Sequence, residues 1–172
     1  MDFLAHLRRI KKRDKIPTVI YMNKPIRKQL RLPDYDYADA GVYFITICAK
    51  NRAPIFSRIV GDDAHIVPTP VGRAVERHLA SVPGIEKYVV MPNHIHMLVR
   101  IHSGPMWASA PTGSIPTLVR SFKTLVTKSV GRSVFQRSYH DHVIRNEQDY
   151  RDVWQYIDNN PLRWRDDVLY CE

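Results

Sequence analysis

Apolar positions recur along the chain with two different periods, which separate predicted strands from predicted helices. Residues 42–50 (VYFITICAK) are rich in β-branched and aromatic side chains, a composition typical of a strand. Residues 85–91 and 94–101 form two further apolar runs, separated by the turn-forming pair Pro92-Asn93. This spacing predicts an antiparallel hairpin.

Two segments have apolar residues three and four positions apart, which predicts amphipathic helices. The first is expected to run from Pro70 to about residue 82, with Thr69 as its N-cap. In the second, the apolar residues stand at positions 115, 118, 119, 122, 125, 126 and 130. Residues 51–68 and 102–115 are predicted to form loops. The loop 51–68 is expected to contain a short edge strand near residues 57–60.

The C-terminal third of the chain predicts one more strand and one more helix. Residues 134–145 form the strand candidate, and the helix begins near Asn146, with Asp149 completing a pattern close to a capping box. The first six elements follow the order β-α-β-β-α-β of an antiparallel ferredoxin-like or RRM-like sheet. We therefore predict an α+β fold with an added C-terminal helix.

Composition is that of an ordinary globular protein, with 172 residues, 44% of them hydrophobic and 25% charged. No apolar run reaches the roughly 18 residues of a membrane span, and no apolar region follows the basic start of the chain. Two cysteines form neither a disulfide framework nor a zinc quartet. We expect a cytoplasmic protein without a membrane segment.

The positive charge is concentrated in an N-terminal arm. Residues 1–33 hold ten Lys or Arg against two Asp, a net charge of +8, whereas the remaining 16 basic and 15 acidic residues give +1. A basic arm on a near-neutral domain, here residues 34–172, suits contact with phosphates. A solvated tail, or contact with an acidic membrane surface, is the alternative. The candidate DNA-binding residues of the arm are Arg8, Arg9, Lys11, Lys12 and Arg13.

Two histidines, His94 and His96, interrupt the apolar strand 94–101. Side chains alternate between the faces of a strand, so both project from the same side, about 7 Å apart along the chain. Neutral imidazoles so placed can chelate one divalent metal. Histidines bonded to backbone, or exposed on an open sheet face, are the alternative.

The last helix adds a second feature. At 100° per residue, one apolar stripe contains the core-facing side chains, whereas Tyr156 and Asn160 lie off that stripe on a polar face. An ordinary exposed tyrosine is the alternative, but beside a histidine pair the arrangement suggests a nucleophile next to a metal. The stripe consists of Tyr150, Val153, Trp154 and Ile157.

At these motifs the sequence resembles a known family. The segment VVMPNHIHMLV resembles the histidine–hydrophobe–histidine motif of the HUH endonucleases, and YHDHVIRNEQDYRDVWQYIDNNPLRW resembles the tyrosine segment of the REP-associated tyrosine transposases, relatives of the IS200/IS605 transposases. The segments LPDYDYADAGVYFITICAKNRAPIF and LVRSFKTLVTKSV are similar to the first strand and second helix of that family. The resemblance covers residues 30–165.

The resemblance implies roles for four residues. His94 and His96 match the metal ligands, Tyr156 the catalytic tyrosine and Asn160 a third ligand. In the family, the metal polarises a phosphate of single-stranded DNA and the tyrosine attacks it, leaving a 5′-phosphotyrosine and a free 3′-OH. Because phosphate oxygens prefer hard cations, the expected cofactor is Mg²⁺ or Mn²⁺.

Other residues have less defined roles. His140 and His142 form a second histidine pair, which is an alternative metal site, and we favour His142 as a supporting residue near the first site. Four basic residues outside the arm are candidate phosphate contacts, although a solvated surface is the alternative. They are Arg52, Arg120, Lys123 and Arg145.

Two functions remain open from the sequence. The first is a metal-dependent endonuclease and strand transferase that acts on single-stranded hairpin DNA. The second is a nucleic-acid-binding module without chemistry, either a domesticated transposase or an RRM-like binder. We expect a monomer, with a dimer as the alternative.

Overall fold

The computed structural model describes residues 40–102 and 114–170, so the arm with its five candidate DNA-binding residues lies outside the described part. Two short 3-10 turns, Lys50–Arg52 and Trp164–Asp166, accompany the main elements. Along the chain these are β1 (Gly41–Cys48), β2 (Ser57–Val60), β3 (His65–Pro68), α1 (Pro70–Leu79), β4 (Ile85–Val90), β5 (His94–Ile101), α2 (Ile115–Val130), β6 (His140–Ile144) and α3 (Glu147–Asn159).

The main sheet has four strands in the order β4-β5-β1-β6, and every neighbouring pair is antiparallel. This is the strand order that the β-α-β-β-α-β pattern predicts, with β1 and β5 in the centre. The register of β1 and β5 places Cys48 opposite His94 and Thr46 opposite His96. The predicted fold class is therefore confirmed.

Helices α1 and α2 cover one face of this sheet. The side chains of Tyr43, Ile45 and Ile47 alternate inward from β1 and are fully buried in this layer. Helix α1 begins as predicted, since Thr69 Oγ1 accepts a hydrogen bond from Gly72 N at 3.0 Å. It ends at Leu79, three residues before the predicted end.

Helix α3 covers the opposite face, together with side chains of the β2–β3 hairpin. Asn146 caps α3 as predicted, accepting a hydrogen bond from Asp149 N at 2.9 Å. Val153 and Ile157 are buried against the sheet, in agreement with the predicted stripe. The alternative that the histidines are exposed on an open sheet face is wrong, because this helix lies over that face and both side chains are buried.

Two further predictions differ from the structure. Residues 65–68, expected in a loop, form β3 and pair with β2 in a separate two-stranded sheet. The last strand begins at His140 rather than at residue 134, and Phe135 makes only an isolated bridge to Ala49. The carbonyls of residues 136–138 accept hydrogen bonds from Lys123 Nζ.

No helix in the described ranges is both long and apolar enough to cross a membrane.

Candidate metal and tyrosine site

Strand β5 places His94 and His96 on the sheet face beneath α3. Their exposed fractions are 0% and 1%, and their ring centroids are 4.4 Å apart. The ring of Phe44 stacks on His96 from the neighbouring strand at 5.1 Å. The two imidazoles are thus adjacent and shielded from solvent.

Each histidine is oriented through its Nδ1 atom. His94 Nδ1 lies 2.8 Å from Asn93 Oδ1, and the other end of that carboxamide donates to the carbonyl of Leu169 at 2.7 Å. His94 Nδ1 must therefore carry the proton, since its partner oxygen only accepts. His96 Nδ1 lies 2.9 Å from the hydroxyl of Thr46. Both Nε2 atoms therefore face the space under α3. At metal sites, a histidine ligand is usually oriented in this way, by a hydrogen bond at the ring nitrogen that does not bind the metal.

Burial keeps both imidazoles neutral. Loss of solvation lowers the pKa of His94 to about 4, and it lowers that of His96 well below its usual value. The neighbouring His94 adds to the lowering for His96. A neutral imidazole offers the lone pair that a metal requires.

Helix α3 brings the predicted tyrosine to the histidines. Tyr156 Oη lies 3.4 Å from His96 Nε2, and its ring packs edge-on against Phe44 with centroids 5.9 Å apart. Asn160 follows the last residue of α3 and is only 3% exposed. The structure thus brings together His94, His96, Tyr156 and Asn160, which the sequence separates by up to 66 positions.

A fifth residue, Asp167, joins this group without having been predicted. One carboxylate oxygen accepts from Asn160 Nδ2 at 3.1 Å and from Tyr156 Oη at 3.4 Å, and the other accepts from Leu169 N at 2.6 Å. Ligand atoms of His94, His96 and Asp167 lie within 4.8 Å of one another. The segment after α3 therefore folds back to add a carboxylate to the two imidazoles.

Two buried acceptors in this group have no hydrogen-bond partner among the residues that the structure describes. They are His94 Nε2 and Asn160 Oδ1. Leaving such atoms unsatisfied costs about 1–3 kcal/mol each, and native structures rarely do so without a reason. Two imidazole nitrogens, a carboxylate and a carboxamide oxygen are suitable donors for a divalent cation. The residues present therefore fit a metal ion.

The same surroundings make Tyr156 a weak nucleophile. Burial raises the pKa of its hydroxyl, and the negative charge of Asp167 raises it further. The hydroxyl is fully protonated at neutral pH. Added positive charge would favour the phenolate, which is the chemical role that a cation beside His96 can fill.

His142 lies outside the cluster of possible ligands found among the described residues. It faces Phe44 across β1 and β6, and its Nε2 bonds both carboxylate oxygens of Asp149 at 2.9 and 3.0 Å. This contact joins β6 to the first turn of α3. His140 pairs with Thr46 in the same ladder.

The four basic candidates outside the arm occupy different positions. Arg52 lies in the turn after β1 with φ +55°, a left-handed conformation that is uncommon for this residue type. Arg120 and Arg145 are exposed. Lys123 is half-buried and donates to three backbone carbonyls, and burial lowers its pKa to about 8.

Three residues of the site were missed from the sequence. Thr46 is a polar residue on an otherwise apolar strand, which was a usable signal. Asn93 was assigned only to a turn. Asp167 lies in a segment without periodicity, so nothing local distinguishes it from the neighbouring Asp166.

Comparison with known proteins identifies a relative in sequence. No protein-family model matches the sequence. An uncharacterized protein of Haemophilus influenzae is 30% identical over 171 aligned residues, covering 85% of this chain and 94% of that protein. The chain therefore belongs to the same family as that protein.

Two solved structures are similar to the chain. A structure described as a REP-associated tyrosine transposase bound to a REP hairpin has a TM-score of 0.54 at 23% identity, covering 75% of this chain and 71% of that one. A proposed transposase of Deinococcus radiodurans has a lower TM-score of 0.43 at 18% identity, covering 75% of this chain and 95% of that one. The protein is thus a member of the family of the Haemophilus influenzae protein, and it has the fold of a REP-associated tyrosine transposase, as its motifs predict.

Proposed function

We propose that this protein is a metal-dependent endonuclease and strand transferase that acts on single-stranded hairpin DNA. The observation that carries the proposal is the position of Tyr156 Oη, 3.4 Å from Nε2 of one member of a buried, neutral histidine pair. A tyrosine beside a metal-competent cluster suits covalent attack on phosphate. The hairpin bound to the similar transposase supports DNA of that form as the substrate.

We infer Mn²⁺ or Mg²⁺ as the cofactor from the phosphate oxygens of the proposed substrate together with the two oxygen donors of the site. The ligands would be His94, His96 and the oxygens of Asp167 and Asn160, a mixed set of two nitrogens and two oxygens. Imidazole suits later first-row metals, whereas carboxylate and carbonyl oxygens suit Mg²⁺ and Mn²⁺. The bound cation supplies a Lewis acid that polarises the scissile phosphate.

The chain's own residues account for the proton and the new bond. Tyr156 Oη attacks the phosphorus, and its proton passes to the Asp167 carboxylate, whose nearer oxygen lies 3.4 Å away. The bond between phosphorus and the 3′ oxygen breaks, and that oxygen takes a proton from solvent. The products are a 5′-phosphotyrosine and a free 3′-OH. Because the phosphotyrosine keeps the energy of the broken bond, the reverse reaction joins strands without ATP.

The alternative of an RRM-like binder is less consistent with the sheet. An RRM stacks bases on aromatic side chains of its open sheet face. Here Phe44 and His96 occupy that face but lie beneath α3, with 3% and 1% of their surface exposed. Base stacking on this face requires the helix to move away.

Covalent capture tests the proposal directly. The protein is incubated with Mn²⁺ and a labelled hairpin that carries single-stranded flanks, and the mixture is resolved on a denaturing gel. We expect a labelled protein–DNA adduct with the wild type and none with Tyr156→Phe. Tyr150→Phe is the matched control, since that hydroxyl instead bonds Glu86 Oε2 at 3.0 Å. An adduct that persists in Tyr156→Phe contradicts the assignment of the nucleophile.

A further inference from the structure

A cleft of about 570 Å³ opens beside the end of β1, outside the cluster of histidines and tyrosine. Its walls are the turn after β1, the C-terminal half of α2 and the segment that leads to β6. This volume is in the range of pockets that hold small molecules, and so suits a nucleotide unit better than a duplex. The lining residues are Lys50, Asn51, Lys123, Thr127, Ser133, Phe135, Gln136 and Arg137.

The charge of the cleft has one sign. Three of its lining residues are basic, and none of those that the structure describes there is acidic. The side chains of Lys50 and Arg137 are exposed, and neither forms an ion pair with another described residue. Two cations are therefore available to a ligand, and a cleft lined by one sign of charge concentrates counter-ions.

Lys123 has a different part in the same cleft. Its ammonium group donates to the carbonyls of Gln136 and Ser138 at 2.9 and 2.8 Å, and to that of Arg137 at 3.5 Å. Three acceptors match the three hydrogens of an ammonium group. Lys123 therefore fixes the loop that presents Arg137.

Backbone hydrogen bonds join two of these walls, the turn after β1 and the segment that leads to β6. Lys50 N donates to the Val134 carbonyl at 2.8 Å, and Gln136 N donates to the Cys48 carbonyl at 2.9 Å. Asn51 and Arg52 follow with φ +58° and +55°, two successive left-handed residues that are not glycine. Such strain persists only where surrounding contacts maintain it. Backbone contacts thus hold the turn after β1 against the segment that leads to β6.

The cleft adjoins the tyrosine site. Cys48 lies opposite His94 in the register of β1 and β5, two residues before Lys50. Ala49 N, beside Lys50, donates to the carbonyl of Asn93, the residue before His94, at 2.8 Å. A strand whose phosphate lies at Tyr156 would reach the cleft by passing around the end of β1, from one sheet face to the other.

We propose that this cleft binds backbone phosphates of an unpaired stretch of the DNA strand that enters the tyrosine site, through Lys50 and Arg137. The inference rests on the proposed function for the identity of the strand. The polar side chains of Asn51, Thr127 and Gln136 supply further hydrogen bonds to phosphate or base edges.

Salt-dependent binding tests this inference on the full chain. The double variant Lys50→Ala/Arg137→Ala is compared with Arg58→Ala/Arg77→Ala, which removes two exposed cations outside the cleft. Binding of a fluorescent hairpin with a single-stranded extension is measured by anisotropy without metal, from 50 to about 200 mM salt. Each single-strand phosphate contact contributes about 0.7 to the slope of log K against log salt. We expect the cleft variant to lower the slope by about 1.4 and affinity by about tenfold or more, with a smaller change in the control.

Three outcomes have defined meanings. Equal slopes for the two double variants overturn the inference. So does a loss that is the same for a blunt hairpin without the extension, because the cleft would then contact duplex phosphates. Restored affinity in Lys50→Arg/Arg137→Lys supports a charge contact over a folding defect.

The adduct assay on the same proteins separates this inference from the proposed function. If the wild type forms no adduct, the proposed chemistry fails, whereas the difference in salt slope still reports on the cleft.

Discussion

Asn93 connects two parts of the site although it carries no charge and is only 1% exposed. Its oxygen orients His94, and its amide nitrogen holds the carbonyl of Leu169. The same turn therefore sets one imidazole and anchors the segment that contains Asp167. A sequence pattern assigns such a residue to a turn, because its second role depends on a contact 76 positions away.

Removing this carboxamide should weaken metal binding. We expect Asn93→Ala to lower affinity for Mn²⁺ by about 10- to 100-fold, the usual effect of losing a bond that orients a histidine ligand. Isothermal titration with Mn²⁺ measures it. Thr46→Val, which removes only the contact to His96, should give a smaller loss since Leu169 stays anchored. Unchanged affinity in Asn93→Ala contradicts a role in orienting the ligand.

Asp167 offers a second test at this scale. Asp167→Asn keeps the size of the side chain but removes its charge, and we expect weaker Mn²⁺ binding together with loss of the covalent adduct. Asp166→Asn is the matched control, because the neighbouring carboxylate is exposed and outside the cluster of ligands. If the two variants bind Mn²⁺ equally well, Asp167 is not a ligand.

The roles of individual residues were predictable only where the spacing in the sequence fixes the side of a strand or helix from which a side chain projects. Alternation along β5 places His94 and His96 on one side, and helical period places Tyr156 off the apolar stripe. Neither rule indicates what covers a sheet face. The burial of the histidines, and with it their lowered pKa, became evident only from the packing of α3.

At the scale of elements, α3 is attached to the sheet by polar contacts at its rim as well as by its apolar stripe. Lys87 Nζ lies 2.6 Å from Asp158 and 4.0 Å from the ring centroid of Trp154. Tyr150 Oη donates to Glu86, which also pairs with Arg100. These contacts hold Tyr156 over the histidines of its own sheet.

Loss of Lys87 should loosen this helix. We expect Lys87→Ala to lower the free energy of unfolding by about 1 kcal/mol, the combined size of a partly exposed ion pair and a cation–π contact. Urea unfolding measures it. Arg151→Ala removes the pair with Glu147 on the outer side of α3, where both side chains are about two-thirds exposed or more. That control should cost at most about 0.5 kcal/mol, and an equal cost in both variants contradicts the docking role.

Elements with a clear period of apolar residues were predicted closely. Strands whose bounds depend on pairing with another strand were not. Helix α2 runs from Ile115 to Val130, as its apolar spacing indicates. Strands β3 and β6 differ because a strand requires a partner, and the partner is not encoded locally. The carbonyls of residues 136–138 accept hydrogen bonds from Lys123 Nζ, a tertiary contact that local sequence preference does not indicate.

At the scale of the whole molecule, one chain supplies every residue of the cluster. His94, His96, Tyr156, Asn160 and Asp167 all come together without a second subunit. We therefore propose that the proposed cleavage uses the tyrosine of the same chain.

Mixing inactive variants tests that arrangement. His94→Ala lacks a ligand and Tyr156→Phe lacks the nucleophile, so an equimolar mixture should form no adduct if each site is built from one chain. Each variant mixed with wild type serves as the positive control. If the mixture of the two variants regains adduct formation, the tyrosine acts on a partner's metal site and the active form is a dimer.

The register of β1 and β5 has a consequence for tolerance to insertions and deletions. His94 and His96 alternate with Ile95 and Met97, which belong to the core on the opposite face. One residue added or removed at Pro92-Asn93 would exchange the two sets, placing apolar side chains in the cluster and imidazoles in the core. The tip of the β2–β3 hairpin, residues 61–64, carries no such constraint. Length variation compatible with activity should therefore accumulate at that tip and be eliminated at the histidine turn.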